Sequence, residues 1–80
     1  MTQPSLSAQI LAFMGGPANV ERLTHCFSRL RFRLRDSTLV DQDGLRGLPD
    51  VLDIFPRADG MHVALRSGVV QAHAEIAALL

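Results

Sequence analysis

Cys26 is followed by Phe27-Ser28 and then by the run Arg29-Leu30-Arg31-Phe32-Arg33-Leu34-Arg35. It is the only cysteine in the chain. A thiolate becomes a nucleophile when nearby positive charge stabilises it. Arginine binds phosphate through a planar fork of donors. A cysteine and an arginine across a tight turn therefore suit a thiol that takes and holds a phosphoryl group. Successive backbone N–H groups in such a turn can add an anion nest. The interval from Cys26 to Arg29 is too short for the longer phosphate loop of a cysteine phosphatase. Plainer readings stand beside this one. A free cysteine is often a buried small hydrophobe, and arginines alternating with apolar residues make the wet face of any half-buried strand.

Other chemistries find less support. A single cysteine cannot form an internal disulfide. His25, His62 and His73 lack ligand-type spacing, so no metal is expected, and no motif calls for a cofactor. Eight arginines balance eight acids, with no lysine, so the net charge is zero. Nucleic-acid clamps usually carry excess positive charge. Trp and Tyr are absent, which removes the usual platforms for stacked bases. No apolar run reaches the roughly 18 residues needed to span a bilayer. Met1-Thr2-Gln3-Pro4 lacks the charge and apolar stretch of a signal peptide, so a cytoplasmic chain without membrane insertion is expected.

The elements that must position these residues can be read from periodicity. The 80 residues (8.7 kDa) fit one domain spanning residues 1–80, which buries about 60% of its unfolded surface. Ser5 to Met14 reads as a helix, with Leu6, Ile10 and Phe13 on one face, Leu11 and Met14 widening it, and Gly15-Gly16 as the stop. Pro17 to Val20 adds a helical turn. Glu21 to Cys26 reads as a short strand. Leu30, Phe32 and Leu34 then alternate with arginines, so one sheet face is core and the other is basic. Asp41 suits the N-cap of a short helix through Leu48. Val51 to Phe55 reads as a third strand, Pro56 to Gly60 as a hairpin turn, and Met61 to Leu65 as a fourth strand. A last helix runs from Ser67-Gly68 to Leu80, with Val69, Ala72, Ile76 and Leu79 or Leu80 as its buried stripe. The pattern predicts an α+β fold with helices on the apolar face of one sheet, and leaves strand order open.

Thr24-His25-Cys26-Phe27-Ser28-Arg29-Leu30-Arg31-Phe32 resembles the phosphorylation-site signature of the enzyme IIB domains of the glucose superfamily. These belong to the bacterial phosphoenolpyruvate-dependent sugar phosphotransferase system. The signature is Cys, two residues ending in Thr or Ser, then Arg-Leu-Arg and an apolar residue. Gly15-Gly16 with Asn19-Val20 resembles the family's Gly-Gly-x-x-Asn-Ile segment. Leu34, Asp36, Val40-Asp41, Leu45 through Leu48 and Gly68-Val69-Val70 also resemble family positions. The likeness covers about residues 6 to 80. Asp50-Val51-Leu52-Asp53-Ile54, His62 and Leu65-Arg66-Ser67-Gly68 depart from it.

The resemblance implies a four-stranded antiparallel sheet with three helices packed on one face. It implies a phosphoryl relay, in which Cys26 takes phosphate from a phosphohistidine of enzyme IIA and passes it to a sugar held by the membrane enzyme IIC. On that reading the chain works in the cytoplasm or at the inner membrane face through enzyme IIC. By the family motif Arg29 is the first charge clamp and Arg31 the second. Ser28 and the Phe27 backbone N–H are phosphate-binding positions. Arg33 and Phe27 are expected to meet the partner, although solvation suits Arg33 and Arg35 as well and Phe27 also suits the core. His25 is expected to point away from Cys26's face, since adjacent strand residues face opposite ways. The competing readings are a degenerate or regulatory binding module of the same fold and a small RNA-binding domain using the basic sheet face.

Overall fold

In the computed structural model, which describes residues 4–80, the Ser5 hydroxyl accepts from the Ala8 N–H and caps helix α1, Leu6–Phe13. Gly15 and Gly16, with φ of 98° and 88°, end that helix in a conformation that favours glycine. A single 3-10 turn, Pro17–Asn19, leads into strand β1, Val20–His25. Strand β2 is Arg29–Leu34, followed by a 3-10 turn at Ser37–Leu39. Helix α2, Gln42–Arg46, is capped by Asp41, whose carboxylate accepts from the Gly44 N–H. Strands β3, Val51–Arg57, and β4, Gly60–Leu65, precede helix α3, Val69–Leu79.

The four strands form one antiparallel sheet in the order β1-β2-β4-β3. Helix α3 packs on β1 and β2, α2 packs on β3, and α1 packs against α2 and α3. The helices thus cover one face and leave the other open, as the amphipathic strands require. Ile10, Met14, Leu30, Leu45, Met61, Val63 and Ile76 are fully enclosed between the two layers. The alternation in β2 falls as expected: Leu30, Phe32 and Leu34 are buried, and the arginines between them are not.

Two expectations need correction. The segment from Pro56 to Gly60 is not all turn, because β3 continues through Pro56-Arg57 and only Ala58-Asp59 bridges to β4. Proline lacks an N–H, but β3 lies at the sheet edge, where one missing donor leaves no ladder gap. Gly60 then passes so close to the Phe32 carbonyl that a Cβ would lie 1.8 Å from its oxygen. In α3, Val69, Ala72 and Ile76 are buried, whereas Leu79 and Leu80 are exposed. The buried stripe of the helix therefore ends at Ile76.

Asn19 ties the start of the sheet to the end of α1. It is buried, and its Nδ2 donates to the Met14 carbonyl (2.8 Å) and the Asp36 carbonyl (2.9 Å). Its Oδ1 accepts from the Asp36 N–H at 2.9 Å. One side chain therefore satisfies three backbone groups and aligns the outer ends of β1 and β2. No helix among the described residues is long and apolar enough to cross a membrane.

Candidate active site

The turn joining β1 to β2 consists of Cys26, Phe27 and Ser28. The Cys26 N–H donates to the Arg29 carbonyl (3.0 Å), closing the hairpin. The Leu65 N–H donates to the Ser28 carbonyl (3.2 Å), which anchors the turn to β4. The sulfur is therefore held at the end of a paired hairpin, not on a loose loop.

This setting lowers the Cys26 pKa below its ordinary 9.0. The backbone at Ser28 is the largest cause; partial burial opposes it, and the backbone at Arg29 supports it. The Arg31 guanidinium then adds its charge and a weaker side-chain hydrogen bond. The lowered pKa leaves more of the thiol ionised at neutral pH, as a nucleophile requires.

Strand pairing shows which side chains share its face. Directly paired residues in an antiparallel ladder point to the same side. Thr24 pairs with Arg31, Arg31 with His62, and His62 with Phe55. These four make one row across the open face. Arg29 pairs with Ala64, which pairs with Asp53, in the next row. Arg29 and Arg31 do share a face, but their surroundings differ. The Arg29 guanidinium lies over the Phe55 ring, 4.0 Å from its centroid. Arg31 is the arginine whose charge bears on the thiol.

The remaining positions divide cleanly. Phe27 is fully exposed at the tip of the turn, so it does not enter the core. Arg33 and Arg35 approach Glu21 at 3.6 and 3.8 Å, both in solvent-exposed ion pairs of small energetic weight. Glu21 reaches them because the β1–β2 register shifts between Val20 and Arg22. His25 pairs with buried Leu30, and its ring meets His73 of α3 edge-on at 4.6 Å. It therefore lies on the helix side, away from the arginine row. Among the described residues no three His, Cys, Asp or Glu side chains gather as a metal site.

Thr24, Phe55 and His62 join the site without a local signal that singles them out. Alternation places His62 outward in β4. The adjacency of β4 to β2, which brings His62 beside Arg31, is not written in either strand. His62 carries a lowered pKa, first because its ring is desolvated and then because Arg57, Arg31 and Arg29 repel its proton; Asp59 opposes them.

Comparison with known proteins fits this geometry. A family model described as phosphotransferase system, EIIB, matches residues 8–41. The chain is 39% identical over 71 residues to the PTS system glucose-specific EIIBCA component of Corynebacterium glutamicum, covering 88% of this chain and 10% of that protein. It is 44% identical over 72 residues to the PTS system N-acetylmuramic acid-specific EIIBC component of Photorhabdus laumondii subsp. laumondii, covering 90% of this chain and 15% of that protein. The chain thus spans a small part of these curated relatives. One solved domain of the PTS system IIabc component from Clostridium difficile shares the fold, with a TM-score of 0.76 and 19% identity over 90% of this chain and 75% of that one.

Proposed function

The chain belongs to the phosphotransferase system EIIB family, and from that premise we propose that Cys26 is the phosphoryl-carrying residue of a sugar phosphotransferase relay. The observation that carries the proposal is the thiol at the hairpin end, fixed by the Cys26 N–H bond to the Arg29 carbonyl and the Leu65 N–H bond to the Ser28 carbonyl, with its pKa lowered by the backbone of the turn and by Arg31.

In the first step the Cys26 thiolate attacks the phosphorus of a phosphohistidine on enzyme IIA. The S–P bond forms as the N–P bond breaks, and the released imidazole takes up a proton. In the second step a hydroxyl of a sugar bound by membrane enzyme IIC attacks the same phosphorus. The O–P bond forms, the S–P bond breaks, and the hydroxyl proton leaves to solvent or a base of the acceptor site. Such transfers depend on placement and on neutralising charge over the equatorial oxygens. The backbone of the turn from Phe27 to Arg29 supplies donors, Arg31 supplies charge from the resting state onward, and the Arg29 guanidinium can swing from Phe55 to join it. Phe27 at the tip of the turn and Arg33 farther along the exposed face of β2 serve as partner-docking residues.

The acceptor half is tested with membranes containing a cognate EIIC, phosphorylated IIA and labelled sugar. Adding this chain yields sugar phosphate, and the Cys26→Ser chain yields none. Equal product from both chains would remove Cys26 from the relay.

A further inference from the structure

We propose that the open face of the sheet holds a second binding site, beside the Cys26 turn and sharing Arg31 with it, for a small phosphate dianion: inorganic phosphate or a phosphomonoester. A cavity of about 340 Å³ lies there, lined by Arg22, Thr24, Arg31, Phe32, Arg33, Asp59 and His62. Its size lies within the range of small-ligand pockets.

The charges explain why an anion belongs in it. Arg22 and Arg33 are direct cross-strand partners, and like charges so placed destabilise a sheet. Arg31 sits two residues from Arg33 on the same face. Three guanidinium groups therefore line the cavity with one carboxylate, Asp59, among its walls. Among the described residues, the ion pairs on these strands are those of Arg33 and Arg35 with Glu21. Arg22 and Arg31 are outside those pairs and can turn their guanidinium forks to a ligand. Arginine forks match phosphate oxygens in a bidentate manner, and Thr24 contributes a hydroxyl-bearing side chain to the lining.

His62 adds an independent sign. Its Nδ1 is buried and has no hydrogen-bond partner. The ring faces Arg31 and Arg29 from β2, and Arg57 and Asp59 from β3 and its turn; desolvation first, and then the arginines, hold its pKa down. A dianion among them would offset that repulsion and favour the protonated ring. The site also shares Arg31 with the thiol, so an occupant competes with Cys26 for one guanidinium. The inference holds whether or not Cys26 carries phosphate.

The test is an NMR titration of the full chain, following backbone amides and the His62 ring. Inorganic phosphate and glucose 6-phosphate are added separately, each against sodium chloride at matched ionic strength. The expected result is saturable shifts at Arg22, Thr24, Arg31 and His62, with the His62 titration midpoint moving up. Arg22→Gln weakens the affinity about tenfold, and Thr24→Val weakens it less. Tighter binding of the sugar phosphate marks the ester as the ligand, and equal binding marks the phosphate group alone. Shifts confined to Phe27, Ser28 and Arg29, shifts reproduced by chloride, or an unchanged affinity in Arg22→Gln would overturn the proposal. These readings need no phosphoryl donor, so they stand apart from the test of the relay.

Discussion

Arg29 reaches across β4 to rest its guanidinium on Phe55 of β3, 4.0 Å from the ring centroid. The residue beneath its path is Ala64, its cross-strand partner, whose small side chain leaves room. A cation over an aromatic face gains about 0.5–1 kcal/mol at an exposed site. That is enough to hold Arg29 on the ring at rest and little enough to release it to a phosphate. Arg31 has no such aromatic seat and bears on the thiol instead.

The two arginines should therefore separate in a reactivity assay. Arg31→Gln removes a charge that lowers the Cys26 pKa and so slows its alkylation by iodoacetamide at neutral pH. Arg29→Gln keeps the backbone N–H that supports the thiolate and changes the rate by less than about twofold. The reverse ranking would show that Arg29, not Arg31, is the resting partner of the sulfur.

Phe27 tests the docking assignment. Its side chain is fully exposed, so Phe27→Ala should leave unfolding stability within about 0.5 kcal/mol. An aromatic anchor at an interface typically contributes more than about 1 kcal/mol, so transfer from phosphorylated IIA should fall roughly fivefold or more. Urea unfolding and single-turnover transfer measure the two effects separately. Unchanged transfer would place the contact surface elsewhere.

Asn19 lies far from the thiol and should matter for stability. Asn19→Ala removes three hydrogen bonds and strands buried backbone groups of the α1 end and the Asp36 segment. At about 1 kcal/mol for each bond, the expected loss is roughly 3 kcal/mol by urea unfolding. A loss under about 1 kcal/mol would mean that water replaces the side chain without consequence.

His62 gives the fold a pH dependence of definite sign. Its folded-state pKa lies below the ordinary 6.5, so the unfolded chain binds the proton more readily. Its contribution is present above pH 6.5 and is lost progressively as pH falls below that value toward the lowered folded pKa. Denaturation midpoints should therefore drop with acidification below 6.5, and His62→Gln should flatten that slope. An equal slope in both proteins would assign it to other groups.

Much of this was legible in the residues alone, for identifiable reasons. The strict alternation from Leu30 to Arg35 leaves one register for β2, because slipping by one residue would bury the arginines. Ser5, Asp41 and Gly15-Gly16 mark helix ends by chemistry that operates locally. Pro56 misled because its cost depends on edge position, which is a property of the sheet. Leu79 and Leu80 misled because periodicity cannot say where the covering sheet ends. At the site, the Cys26–Arg29–Arg31 spacing is a local feature and was readable. The seating of Arg29 on Phe55 and the approach of His62 to Arg31 depend on the order β1-β2-β4-β3, and no single segment records that order.

The relay claim is tested most directly by intact mass. The chain and its Cys26→Ser variant are each incubated with a phosphorylated enzyme IIA and measured under non-acidic conditions. The account predicts a gain of one phosphoryl group in the native chain and none in the variant. A gain that persists in Cys26→Ser, or its absence with the cognate IIA, would contradict it.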